Sequence, residues 1–248
     1  MGSPSRRYSL IACEIMFREL CSCAAQSRNI IDITFMPKGL HDMGEAKMTS
    51  LLQAAIDQVD VSRYEAILLG YGLCNNGTRG LRASLPMVIP RAHDCITLLL
   101  GSKDRYAAYF QEHPGTYYQS PGWMERGTHA SDNPDSVISQ LGMNRTYDEY
   151  LAKYGEDNAR YLMETLGNWV RNYTRMAYID TQVGDLAAYK QETAADAARR
   201  GWEYEEIQGS TALLMQLLDG PWEEDKFLTI PPGQALRPTY DEGIIGLA

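Results

Sequence analysis

Cys13, Cys74 and Cys95 are the residues of this chain best suited to chemistry. A thiolate is a soft metal ligand, and three thiolates leave one coordination position open for a substrate. The gaps between them, 61 and 21 residues, match no zinc ribbon and no ferredoxin run, so spacing alone names no metal. Buried apolar thiols and redox or nucleophilic cysteines are alternative readings of the same positions. Cys21 and Cys23 form only a C-x-C pair inside a helical pattern, facing different sides, with one of them in the core. His93-Asp94-Cys95 sets an imidazole and a carboxylate beside a thiol. His93 is thus a candidate ligand, and Glu14, His93 and Asp94 are the candidate acids and bases. Asp94 equally suits the first turn of a helix, where a carboxylate favours the helix dipole without any chemistry.

Around these lies a second tier of candidates for holding a ligand. The run from Gly70 to Gly80 is rich in glycine and asparagine, and its amides at Gly72, Asn75 and Gly77 are placed to face an anion, with Arg91 as a cation nearby. It matches neither the dinucleotide fingerprint nor the P-loop. Tyr118 and Trp123 fall in a stretch, 114–123, that reads as too rich in Pro and Gly for a regular element and suits a lid over a small pocket or a loop anchored on the core. His41-Asp42-Met43-Gly44 lacks the aspartate of a cobalamin-binding D-x-H-x-x-G, Gly39 standing in its place.

The elements that must position these groups alternate between strand and helix. Tyr8–Ala12, Ile30–Phe35, Tyr64–Gly70 and Met87–Ile89 are short apolar or β-branched runs, and helical periodicity follows at 14–25, 43–59 and from His93 to Leu100. Residues 175–248 repeat the pattern with strands at 176–180, 202–207 and 227–230 and helices at 185–200 and 210–218. This predicts an α/β fold, a mostly parallel sheet with flanking helices in Rossmann-like βα units. It divides as an N-terminal α/β half, 1–110, carrying the cysteine motifs; a lid or helical insertion, 111–174; and a C-terminal α/β half, 175–248, packed with the first as one compact unit. Ligands of parallel sheets bind at the carboxyl ends of the strands. Cys13, Cys74 and Cys95 each follow a strand, so the reading requires their side chains to meet at one rim.

Composition removes several classes of function. The chain carries 23 Lys and Arg against 32 Asp and Glu, with 12 acids and 5 bases in residues 185–248, and offers no basic stripe for nucleic acid. No apolar window is long enough to span a membrane. The N-terminus shows no signal-peptide pattern, and five cysteines confined to 13–95 suit reduced thiols, so the expected location is cytoplasmic.

Ala12-Cys13-Glu14, Gly70-Tyr71-Gly72-Leu73-Cys74, Pro90-Arg91-Ala92-His93-Asp94-Cys95-Ile96, the aromatic segment through Pro121-Gly122-Trp123, and Pro231-Pro232-Gly233 together resemble domain-of-unknown-function family 1638 over nearly the whole chain. The resemblance implies no agreed reaction, but such proteins are often associated with corrinoid-dependent methyl transfer and one-carbon metabolism. It favours a shared site at Cys13, Cys74 and Cys95. The placing of single cysteines after separate strands is similar to that in quinolinate-synthase-type proteins, which favours a [4Fe–4S] cluster over zinc. The expected function is a metal-dependent enzyme acting on a small-molecule substrate, linked to methyl-group metabolism and with a corrinoid methyltransferase component as partner. The alternative is a non-catalytic accessory protein that binds an anionic or corrinoid-type ligand through Arg91 and the Gly70–Gly80 loop.

Overall fold

The computed structural model describes residues 5–126, 151–152, 155–158, 160, 173–239 and 241–248. Its strands and helices run β1 Arg7–Cys13, α1 Phe17–Gln26, β2 Ile30–Met36, α2 Glu45–Asp57, β3 Ala66–Gly70, β4 Met87–Pro90, α3 Cys95–Leu100, α4 Lys103–Glu112, β5 Thr116–Gln119 and α5 Pro121–Glu125. They continue β6 Arg175–Asp180, α6 Ala187–Arg200, β7 Glu203–Gln208, α7 Ala212–Asp219, β8 Phe227–Ile230, β9 Leu236–Pro238 and β10 Ile245–Leu247.

A five-stranded sheet in the order β2-β1-β3-β4-β8 forms the centre. The pairs β1–β2, β1–β3 and β3–β4 are parallel, and β8 closes the edge antiparallel to β4. Its inner strands are apolar over most of their length because helices cover both faces: Leu10, Leu68, Leu69, Val88 and Ile89 are fully buried. Edge strand β2 is more open and carries Asp32, which pairs with Arg7 at 2.9 Å. The chain leaves β1 toward β2 on one side and returns to β3 on the other, so the topological switch point of the sheet lies between β1 and β3.

The mostly parallel α/β expectation therefore holds, with two differences. First, β6 and β7 do not extend the central sheet; they join β5 in a second parallel sheet, β5-β6-β7, and only β8 returns to the first. Second, residues 114–123 are regular after all. Gly115, at φ +79°, makes the turn into β5, and Pro121 opens α5 at a position where a missing N–H costs nothing. The glycine and proline were start signals. The rest of the expected lid or helical insertion, from 127 on, lies, apart from a few positions, outside the described residues.

The two sheets are tied through buried polar contacts. Thr181 Oγ1, just past β6, donates to the Glu19 carboxylate on α1 at 2.7 Å, both side chains being buried. Arg18 meets Glu125 of α5 at 2.6 Å, and the Ser210 amide donates to the Leu99 carbonyl at 2.8 Å. Cys23, the core member of the C-x-C pair, packs under α7 near the Thr211 carbonyl. No helix among the described residues is long and apolar enough to cross a membrane.

Candidate functional site: a cavity lined by three thiols

Three strand ends converge beside the switch point. Strand β1 stops at Cys13, which turns directly into a 3₁₀ turn, Glu14–Met16. At the end of β3, Gly70 presses on β1 so closely that a Cβ there would stand 2.5 Å from the Ala12 Cβ. The chain then follows the exit of β4: Leu73 N donates to Ala92 O and Cys74 N to His93 O, each at 2.8 Å. Gly72 makes that approach possible, since a Cβ would lie 2.6 Å from the Ala92 carbonyl.

Cys74, Asn75 and Asn76 next take left-handed conformations in succession, at φ 46°, 57° and 64°. Asparagine tolerates this region, but an ordinary side chain such as that of Cys74 costs about 1–2 kcal/mol there. The turn is held by Gly77 N donating to Cys74 O at 3.0 Å and by the buried Thr78 hydroxyl, 3.2 Å from the Gly72 carbonyl. Cys95 begins α3, with Asp94 as its cap: Asp94 Oδ1 accepts from the amides of Ile96 at 3.0 Å and Thr97 at 3.2 Å.

Cys13, Cys74 and Cys95 all line one cavity of about 310 Å³. Met16, Leu40 and Met48 supply apolar walls, and Trp123 closes one side from α5. Burial pushes the Cys13 thiol up to about 11 and the Cys74 thiol up to about 12. Cys95 is raised well above the ordinary thiol range, by burial first and then by the neighbouring Asp94 carboxylate. Without a positive partner all three remain protonated at neutral pH. Among the described residues no group of three His, Cys, Asp or Glu side chains is drawn together closely enough to hold a metal ion.

Two further side chains complete the cavity. Tyr71 is 3% exposed and its buried hydroxyl has no hydrogen-bond partner among the described residues. Burial raises its pKa well above the ordinary range, with Cys13 and Cys74 the next contributors, which places the phenol among the thiols. Lys38 lies with its ammonium 4.8 Å from the centre of the Trp123 ring. Burial lowers its pKa, while Asp42, Cys13 and Cys95 oppose that shift. Neither residue was singled out by sequence. Tyr71 sits within the quoted motif but reads as an ordinary strand-end aromatic, and Lys38 reads as a turn residue.

The other candidates divide. His93 is exposed and borders the thiol cavity, as do Asp94 and Asn75. Glu14 turns aside: its Oε1 accepts from the Lys38 amide at 2.8 Å, and it borders a separate hollow with Arg126. Gly77 serves packing, since a Cβ there would lie 2.1 Å from the Met48 sulfur. Arg91 does not face the cavity; its guanidinium donates to the carbonyls of Glu224 at 2.7 Å, Gly243 at 2.9 Å and Ile245. Tyr118 is likewise elsewhere, its ring packed on Tyr106 and Tyr109 at 5.8 and 5.9 Å. Arg91 is thus engaged by the C-terminal segment, and the Gly77 amide by the Cys74 carbonyl of its own turn.

A family model described as a protein of unknown function, DUF1638, matches residues 35–218. Cys74 and Cys95 fall within that span, and Cys13 precedes it. Neither the curated proteins nor the solved structures provide a match.

Proposed function

We propose that this chain, which belongs to the DUF1638 family, is an enzyme whose three thiols hold a metal centre and whose cavity takes a small-molecule substrate. The observation that carries the reading is that cysteines from the ends of three adjacent parallel strands, β1, β3 and β4, line one cavity at the switch point of the sheet. Two features support it. Thiols this strongly desolvated gain most from a bound cation, because the metal replaces the three protons that burial holds in place. The strain at Cys74 brings its side chain to the cavity, and strain of this kind is retained where surrounding structure supports a functional geometry.

Between the two metals we favour a cluster, because single cysteines placed after separate strands resemble the arrangement in quinolinate-synthase-type proteins. Zinc would draw its thiolates to roughly 3.5–4 Å of one another. A cubane binds each thiolate through a different iron, at roughly 6–7 Å between sulfurs. When bound, a three-cysteine cluster supplies one open iron as a Lewis acid or electron-transfer position. The protein's own part is to shield and orient. Trp123 and Met48 exclude water, Lys38 offsets the negative charge of the thiolates, the Tyr71 hydroxyl offers a hydrogen bond, and exposed His93 stands where a proton can reach solvent. A cavity of about 310 Å³ lies at the small end of ligand pockets, and a corrinoid could reach the centre only from outside.

Anaerobic purification with metal analysis tests the proposal. Expected are about four irons per chain and a broad absorbance near roughly 400 nm, lost in C13S, C74S and C95S while circular dichroism stays unchanged. Stoichiometric zinc in colourless protein would replace the cluster with zinc. Absence of both metals, or full loading of C74S, would overturn the three-thiol centre.

A further inference from the structure

A second cavity, larger than the first at about 520 Å³, lies on the other side of His93 and Asp94. Three segments build it: the start of α3, the first turns of α4, and the C-terminal stretch around Asp241–Ile244. Its apolar surface comes from Tyr106, Ala107, Ile244 and Phe110, whose ring is 53% exposed.

Its charge is one-sided. Asp94, Asp104, Asp241 and Glu242 border it; among the described residues the cations beside them are Lys103, which already donates to the Glu242 carbonyl at 3.0 Å, and Arg91, which lies near Asp241 and donates to the Gly243 carbonyl. Two helices begin here, and free amides at their N-termini would favour an anion. Those amides are taken, however: Asp94 caps Ile96 and Thr97, and the Ser102 hydroxyl accepts from the Arg105 amide at 3.3 Å. The carboxylates therefore set the sign of the potential.

An independent observation points to a ligand. Thr97 borders the cavity at 1% exposure, and its buried hydroxyl has no partner among the described residues. Beside it, Asp94 Oδ2 receives the Tyr106 hydroxyl at a long 3.4 Å. What the polar wall lacks is a donor. An organic ammonium supplies what is missing, with N–H donors for Asp94 and Thr97, charge for the carboxylates, and an apolar body to lie against the Phe110 and Tyr106 rings.

We propose that this cavity binds a small organic cation, an amine with an apolar or aromatic body. The site stands on its own residues whether or not the thiols hold a metal. Three probes of one shape and different charge test it on the full chain at low ionic strength: benzylamine, benzyl alcohol and benzoate, titrated by calorimetry or ligand-observed NMR. Benzylamine should bind about tenfold more tightly than benzyl alcohol, and benzoate more weakly than either. Asp104, Glu242 and Phe110 are exposed, so their variants should fold. D104N/E242Q should reduce the benzylamine preference severalfold and leave the alcohol unchanged, whereas F110A should weaken both. Benzoate binding as tightly as benzylamine, a preference that survives D104N/E242Q, or no saturable binding of benzylamine would overturn the proposal. C74S should leave benzylamine binding intact, so a failed metal centre and a failed amine site give different results.

Discussion

Replacing Gly122 by alanine tests how the second sheet is docked onto the candidate site. Gly122 is the second residue of α5, and a Cβ there would stand 1.6 Å from the Ile15 carbonyl oxygen and 2.4 Å from its carbon. Both obstructing atoms are backbone in the 3₁₀ turn that follows Cys13, so no side chain can rotate away. Restoring an ordinary carbon–oxygen distance of about 3.3 Å requires a displacement of roughly 1.7 Å. Overpacking of a rigid contact costs about 1–3 kcal/mol, and backbone on both sides places this case at the upper end. Helix propensity acts the other way, since alanine is favoured over glycine by about 1 kcal/mol in a helix interior. The net expectation for G122A is a loss of about 2 kcal/mol, a fall in Tm of roughly 4–8 °C for a chain of this size. Trp123 would leave the cavity wall with the helix, and metal content should fall. Gly80 is the control: it has nothing within 4 Å but a φ of +79°, so G80A should cost only about 1 kcal/mol, for backbone conformation alone. Urea and thermal denaturation of both variants would decide. A neutral or stabilised G122A would refute the close docking of α5 on Ile15.

Two further substitutions read buried groups. Burial raises the Glu19 pKa above its unfolded value, with the Thr181 hydrogen bond opposing, so the native state carries a growing penalty as pH rises through the folded value. E19Q should therefore match wild type near pH ~3, where both states are protonated, and exceed it in stability at pH ~8; equal curves at all pH values would argue against a buried charge. Y71F removes a buried hydroxyl without a partner and should stabilise the metal-free protein by about 1–2 kcal/mol in urea denaturation. A destabilised Y71F would mean that the hydroxyl is satisfied within the fold.

What the sequence disclosed was local. β1, β3 and β4 announce themselves as continuous apolar runs, because inner strands of a covered parallel sheet are buried on both faces, and a cysteine after each run is visible as such. Asp94 was legible as a cap for the same reason, since capping involves residues two and three positions away. Contacts across the chain left no such trace. Arg91 looks like a free cation beside a glycine loop, yet its partners are backbone carbonyls more than 130 residues later, which carry no side-chain signature. Gly122 helped make its segment look like a loop, whereas its missing Cβ serves a contact with Ile15. Tyr71 marks the cavity only through a hydroxyl left unsatisfied by everything around it, and that is a property of three dimensions.

The parallel pairing of β1 with β3 also sets an order of assembly. Cys13 and Cys74 come from strands joined by a crossover that first forms β2 and α2, so their meeting is a long-range event that unfolded or partly folded chain does not provide. A centre built on them cannot nucleate the fold as a zinc finger's metal does; the sheet must exist before there is anything to load. Loading then has to proceed through the mouth of a finished cavity, past the exposed side chains of Asn75 and His93. If the proposed centre is present, those two residues would govern the rate of its loading separately from how tightly it is then held.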